Sequence, residues 1–169
     1  LNIKSVINLD GALNQIGTGE VFTLGSITTT NDDIKFNSFV TLTGETKFNP
    51  GTGAIAFNSG LLAGTNSLTL RAGEIIFGGK VTGSGNLILE PADANQTVAI
   101  ADTIPGAFNI SANSLANLEN GFNSIIIGRT DGTGLVSVKE VTFNDPIAIR
   151  AGSGTINVNG AIIVLNTLP

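Results

Sequence analysis

Asp32 and Asp33 are the only adjacent acidic pair in this 169-residue chain. Neighbouring carboxylates have two chemical uses: holding a hard cation such as Ca²⁺, or acting as an acid–base pair on a glycosidic bond. The alternative is a solvated corner after Thr28, Thr29, Thr30 and Asn31, and the sequence favours that corner. Arg71 and Arg150 hold matching places in an internal repeat, where capping of strand-end carbonyls is expected ahead of substrate contact. The chain has no His and no Cys. The commonest general base, the commonest neutral metal ligand, thiolate chemistry and disulfides are therefore all excluded. No catalytic residue, cofactor or metal is assigned, Asp32 and Asp33 remaining the one weak Ca²⁺ candidate, and the chain reads as a non-enzyme.

Other glycine and threonine patterns fail in the same way. Gly78-Gly79 and Gly83-Ser84-Gly85 lack the Asp of calcium-binding nonapeptide repeats. Gly17-Thr18-Gly19, Gly51-Thr52-Gly53 and Gly132-Thr133-Gly134 are followed by neither Lys nor a helix start, so they are bends and not phosphate cradles. Thr28, Thr30, Thr41, Thr43 and Thr69 do not recur at one repeat position, as an ice-binding array would demand.

What positions these residues is a phrase that returns six times: apolar, any, apolar, then Asn, Asp or Gly, two more residues, and apolar. It starts at Ile7, Ile34, Ile55, Ile75, Val141 and Ile156, with gaps of 27, 21, 20, 66 and 15 residues. Apolar residues two apart share one face of a strand, and Asn, Asp or Gly tolerates the backbone of a sharp corner. A period near twenty residues marks stacked coils that bury their apolar faces only against one another. The expected core is Ile34, Phe36, Ile55, Phe57, Ile75, Phe77, Val141, Phe143 and Ile156, with the four phenylalanines in equivalent inward positions. The expected corners are Asn37, Asn58, Gly78, Asn144 and Asn159, stacked as a hydrogen-bonded ladder. A longer match sets Leu68–Val81 against Ile147–Ile162 with starts 79 residues apart, close to four periods.

The fold expected is all-β: a right-handed, single-stranded parallel β-helix of roughly eight coils, one per ~20 residues. Residues 1–169 form one solenoid segment, or two continuous modules joined near 91–124. Within that joint Leu115, Leu118 and Phe122 are spaced as a helical stripe. The spacing predicts a short helix over 115–120, capped by Ser114, ended by Gly121, and lying over the side of the solenoid.

Composition narrows the partners. With 8 basic and 13 acidic residues the net charge is −5, which makes nucleic acid and anionic membranes poor partners. No segment holds the eighteen consecutive apolar residues of a membrane-spanning helix. The absence of Met, even at position 1, reads as a processed or excised piece of a longer polypeptide.

The run from Leu115 to Gly134, with Phe143–Gly152 and Ile156–Gly160, resembles the repeat modules of large filamentous-haemagglutinin-like exoproteins of two-partner-secretion type, in cyanobacterial style. It covers the second half well and the first half in style. The resemblance implies the right-handed parallel β-helix, export, and a role at the cell surface. The function expected is a structural or adhesive segment of an extracellular fibre, adhesin or surface layer. The alternative is a carbohydrate-active or carbohydrate-binding β-helix. Expected partners are further copies or further coils of a longer fibre, and surface glycans.

Overall fold

The computed structural model describes residues 1–165. Twenty short strands and one helix wind into three-walled coils. The first coil places β1 (Asn2–Ile3), β2 (Ile7–Leu9) and β3 (Leu13–Gln15) on the first, second and third walls. In the second coil β4 (Val21–Thr29) covers two walls and β5 (Ile34–Phe36) the third, and β6 (Val40–Asn49) and β7 (Ala54–Phe57) repeat that plan. Next come β8 (Leu61–Gly64), β9 (Leu68–Ala72) and β10 (Glu74–Phe77), then β11 (Val81–Gly83), β12 (Asn86–Pro91) and β13 (Val98–Ile100). After β14 (Phe108–Ile110) and α1 (Ala112–Ala116) the coils resume with β15 (Ser124–Gly128), β16 (Val136–Val138) and β17 (Val141–Phe143). They run on through β18 (Ile147–Arg150), β19 (Ile156–Val158) and β20 (Ile162–Val164).

Every strand pairing is parallel, as successive turns of one coil must be. The second wall runs through β4, β6, β9, β12, β15 and β18. The third wall holds two four-stranded sheets, β3-β5-β7-β10 and β14-β13-β16-β19. Within the second of these the chain steps backward: β13 pairs with β16 on one side and with β14 on the other, and β14 lies against β10. The turn that reverses it begins at Ala101, whose φ of 56° is left-handed.

The side chains dictate the wall positions. From β4 to β17 alternating inward residues of the strands are buried, and their sum is one continuous apolar core of Ile, Leu, Val and Phe. Phe36 and Phe57 stack with ring centroids 5.6 Å apart and planes 11° apart, and Phe57 and Phe77 follow at 6.2 Å. Phe48 meets Phe57 edge-on at 5.5 Å from the neighbouring wall. Below Phe36 that column ends at Gln15. The Gln15 amide turns to the corner, accepting from the Asn37 and Ser38 N–H groups at 3.1 and 3.0 Å.

Four sequence expectations change. Phe143 is buried but belongs to the first wall, facing Val164, whereas Phe36, Phe57 and Phe77 line the third. The repeated phrase therefore marks any corner between two walls, which explains its gaps of 66 and 15 residues. Ile156 is not core: it is 42% exposed because, among the described residues, no further coil stacks beyond its inward position. The helix lies at 112–116, N-capped by Ser111 and ending at Asn117. It does not drape over the side. Ser114 accepts from the Phe77 N–H and Asn117 donates to the Phe77 carbonyl at 2.7 Å, so α1 turns the corner from third wall to first. Leu115 and Leu118 point into the core, and Leu118 bridges to Val81. Finally, the two matched segments align wall by wall, yet three ladder steps separate them in the second wall and four in the third. The backward step supplies the extra strand.

The expected corner ladder is partial. Asn58 donates to Asn37 at 2.7 Å, but Gly78 then breaks it: a Cβ there would lie 2.9 Å from the Asn58 carbonyl oxygen, so the coils meet too closely for a side chain. Asn159 donates to Ser137 at 3.1 Å. Asn144 turns a different corner, from first wall to second.

Candidate functional site: a groove across the third wall

The outward face of the third wall carries a groove of about 590 Å³ crossing several coils. Its position follows from the register. Asp33, Ala54 and Glu74 stand immediately before the aligned inward residues Ile34, Ile55 and Ile75. They therefore form one row along the solenoid axis, with the small Ala54 in the middle as the floor. Lys35, Ala56 and Ile76 form the next outward row, in which Ile76 is 38% exposed. The far end is closed by Gln96, Gly106, Ala107 and Asn109. Asn109 fixes this rim by accepting from the Ile104 N–H at 2.9 Å and donating to the Ile104 carbonyl at 3.1 Å. The loop that the backward step creates is thus also the groove's end wall.

The structure separates the acidic pair of the sequence. Asp33 Oδ2 lies 2.7 Å from Lys35 Nζ, and Oδ1 accepts from the Ala54 N–H at 2.8 Å. The Lys35 ammonium, aided by that N–H, holds the Asp33 carboxyl below the usual carboxylate range. Asp33 is therefore ionised at neutral pH and is no proton donor. Asp32 contributes its backbone instead, its carbonyl accepting from the Thr29 hydroxyl. Among the described residues no three metal-ligating side chains cluster, fewer than the roughly six to eight oxygen ligands that Ca²⁺ takes.

The arginines differ from expectation as well. Arg71 does not cap carbonyls: its Nε and Nη2 donate to Glu90 Oε2 at 2.8 and 2.6 Å, one coil further on. The capping arginine is Arg129, which donates to the Pro91 and Ala92 carbonyls at 3.4 and 3.0 Å and chelates Asp131 through Nε and Nη2. That contact with the Arg129 guanidinium drives the Asp131 carboxyl down to about 2. Sequence reasoning passed over Arg129, although Arg129-Thr130-Asp131-Gly132 already places a cation and a carboxylate across one tight turn.

Among the described residues three buried side-chain oxygens are unpaired, one of them the Thr23 hydroxyl. Gln96 Oε1, at the groove's end, has no hydrogen-bond partner, and neither has Asp145 Oδ2. Asp145 is 2% exposed, and its Oδ1 accepts from the Gly121 N–H at 2.7 Å. Burial pushes its carboxyl above the ordinary range, only partly offset by the Gly121 and Phe122 N–H groups. No helix among the described residues is long and apolar enough to cross a membrane. Set against known proteins, the chain matches no family model, no curated protein and no solved structure.

Proposed function

We propose that this chain is a structural and adhesive segment of an extracellular fibre, adhesin or cell-surface layer, of the filamentous-haemagglutinin-like kind its second half resembles. The observation that supports this most is the state of the core at the last described coil. Val136 and Val138 are buried, while their ladder neighbours Ile156 and Val158, facing the same interior, are 42% and 57% exposed. Val164, aligned with buried Phe143, is 40% exposed. Inward apolar surface and parallel strand edges of this kind are covered when another coil stacks on them, whether from the same polypeptide or from a second copy. The continuous core and the ladders between coils supply stiffness to such a rod, and the outer faces supply contact surface.

Analytical ultracentrifugation and electron microscopy of the chain at rising concentration test the assembly. Rods lengthening in steps of one chain are expected, together with loss of stacking in an Ile156→Lys, Val158→Lys double variant. A parent chain that stays monomeric at high concentration, with polar residues covering that end in an experimental structure, refutes stacking. Immunogold labelling of source cells tests the location: label confined to the cytoplasm refutes a surface role.

A further inference from the structure

We propose that Asp145–Pro146 is a self-cleavage site, at which the Asp145 side chain attacks its own backbone carbonyl and splits the chain at the corner between β17 and β18. This chemistry goes beyond the adhesive reading and does not depend on it. Among the five prolines, Pro146 is the one preceded by Asp. An Asp carboxyl reaches its own carbonyl carbon by closing a five-membered ring, and the tertiary amide of proline gives a nitrogen that leaves readily once protonated.

The fold prepares both sides of this bond. Asp145 is 2% exposed; the Gly121 N–H holds its Oδ1 at 2.7 Å, and Oδ2 has no partner. An oxygen that has lost its water without gaining a partner is a stronger nucleophile than a hydrated one. The Gly121 contact also tethers the carboxyl, which restricts the swing of the side chain. Pro146, by contrast, is exposed, so the departing amine emerges into water.

In the first step Asp145 Oδ2 bonds to the Asp145 carbonyl carbon, the carboxyl proton passes to the Pro146 nitrogen, and the C–N bond breaks. A cyclic anhydride is left on Asp145 and a secondary amine on Pro146. One water then opens the anhydride, so the net change is hydrolysis of one peptide bond, with no oxidant or reductant consumed. Burial raises the Asp145 carboxyl above its ordinary range, opposed by the Gly121 and Phe122 N–H groups and by no charged side chain. Glu119, on the segment packed against it, pairs with Lys80 at 2.7 Å, and neither Glu140 before β17 nor Arg150 at the end of β18 acts on it. The protonated carboxyl is therefore populated at milder acidity in the fold than in the unfolded chain. Scission leaves β18, β19 and β20 laddered to β15, β16 and β17, so the product is a nicked rod able to shed its last described coil.

Intact-mass spectrometry of the purified chain, held at pH 7 and pH 5 with and without unfolding urea, tests this. Fragments ending at Asp145 and beginning at Pro146 are expected, forming faster at pH 5 than at pH 7 and roughly tenfold or more faster in the folded chain than in the unfolded one. Asp145→Asn, which keeps the side chain's shape, and Pro146→Ala, at an exposed position, should each slow cleavage by roughly tenfold or more, with both variants confirmed folded by circular dichroism. Cleavage as fast in the unfolded chain is the ordinary acid lability of an Asp-Pro bond and overturns the proposal. So does a chain still intact after a week at pH 5, or cleavage that survives both substitutions.

Discussion

Phe57→Ala tests the core directly. Phe57 has no exposed surface and touches three other rings: Phe36 and Phe77 stacked above and below, and Phe48 edge-on. Phe→Ala in a core costs ~3–5 kcal/mol through lost transfer energy and the cavity left behind. Aromatic pairs add ~0.5–1.5 kcal/mol each beyond area, so Phe57 belongs at about 5 kcal/mol, the top of that range. Phe77, stacked on Phe57 alone, belongs near ~4, and Phe143, buried on another wall beside Val164, near ~3. Hydrogen-bonded coils above and below cannot close in on the cavity, because the strand spacing is fixed at ~4.8 Å. Urea unfolding followed by circular dichroism reads all three, with Phe57→Leu included in case a loss of this size unfolds a marginally stable chain outright. A Phe57→Ala protein as stable as the parent would mean that the rings face outward. One no worse than Phe143→Ala would refute the additive ring column.

Three further outcomes follow from single contacts. Gly128→Ala should cost about 3 kcal/mol or more, because the position has φ +93° and its Cβ would lie 2.0 Å from the Arg150 carbonyl oxygen; Gly19→Ala, with nothing within 4 Å, should be near neutral in the same urea titration. Arg129→Met should cost about 2 kcal/mol by leaving the Pro91 and Ala92 carbonyls without their donor, and carbon-detected NMR should find Asp131 titrating well above its parent value of about 2. Asp145→Asn should raise stability at pH 7 by about 1 kcal/mol. The sign is fixed by the raised carboxyl: its charged form is disfavoured in the fold, so the cost is present above the folded value and vanishes as pH falls through it. The gain over the parent should therefore shrink on acidification, and a gain that persists at low pH would refute the assignment.

The sequence made the core legible where chemistry and periodicity agreed. Ile34, Ile55 and Ile75 recur at nearly the coil length, each two residues before a Phe, and all six side chains are buried. What the phrase could not encode was the wall. A corner between first and second walls uses the same apolar, apolar, Asn grammar as one between third and first, since both need inward side chains followed by a residue tolerant of a sharp bend. Phe143 was placed in the wrong column for that reason. Ile156 fails differently: its residue type and register are those of a core position, and only the absence of a neighbouring coil among the described residues exposes it.

The candidate site was legible in one residue and hidden in the rest. Asp33 was singled out as half of an acidic pair, but its partners come from other coils: Ala54 and Glu74 lie one and two turns away, and Gln96 lies in the stretch leading to the backward step. That step has no local signature beyond broken rhythm over residues 91–124. It becomes visible only when β14 is placed against β10 and α1 follows at the corner, where Ser114 and Asn117 satisfy Phe77. The interruption that adds a strand to the third wall also throws out the loop pinned by Asn109. Without it the outer face of β5, β7 and β10 would continue as a flat sheet. With it, that face ends against a raised rim, and a surface made by repetition acquires a groove.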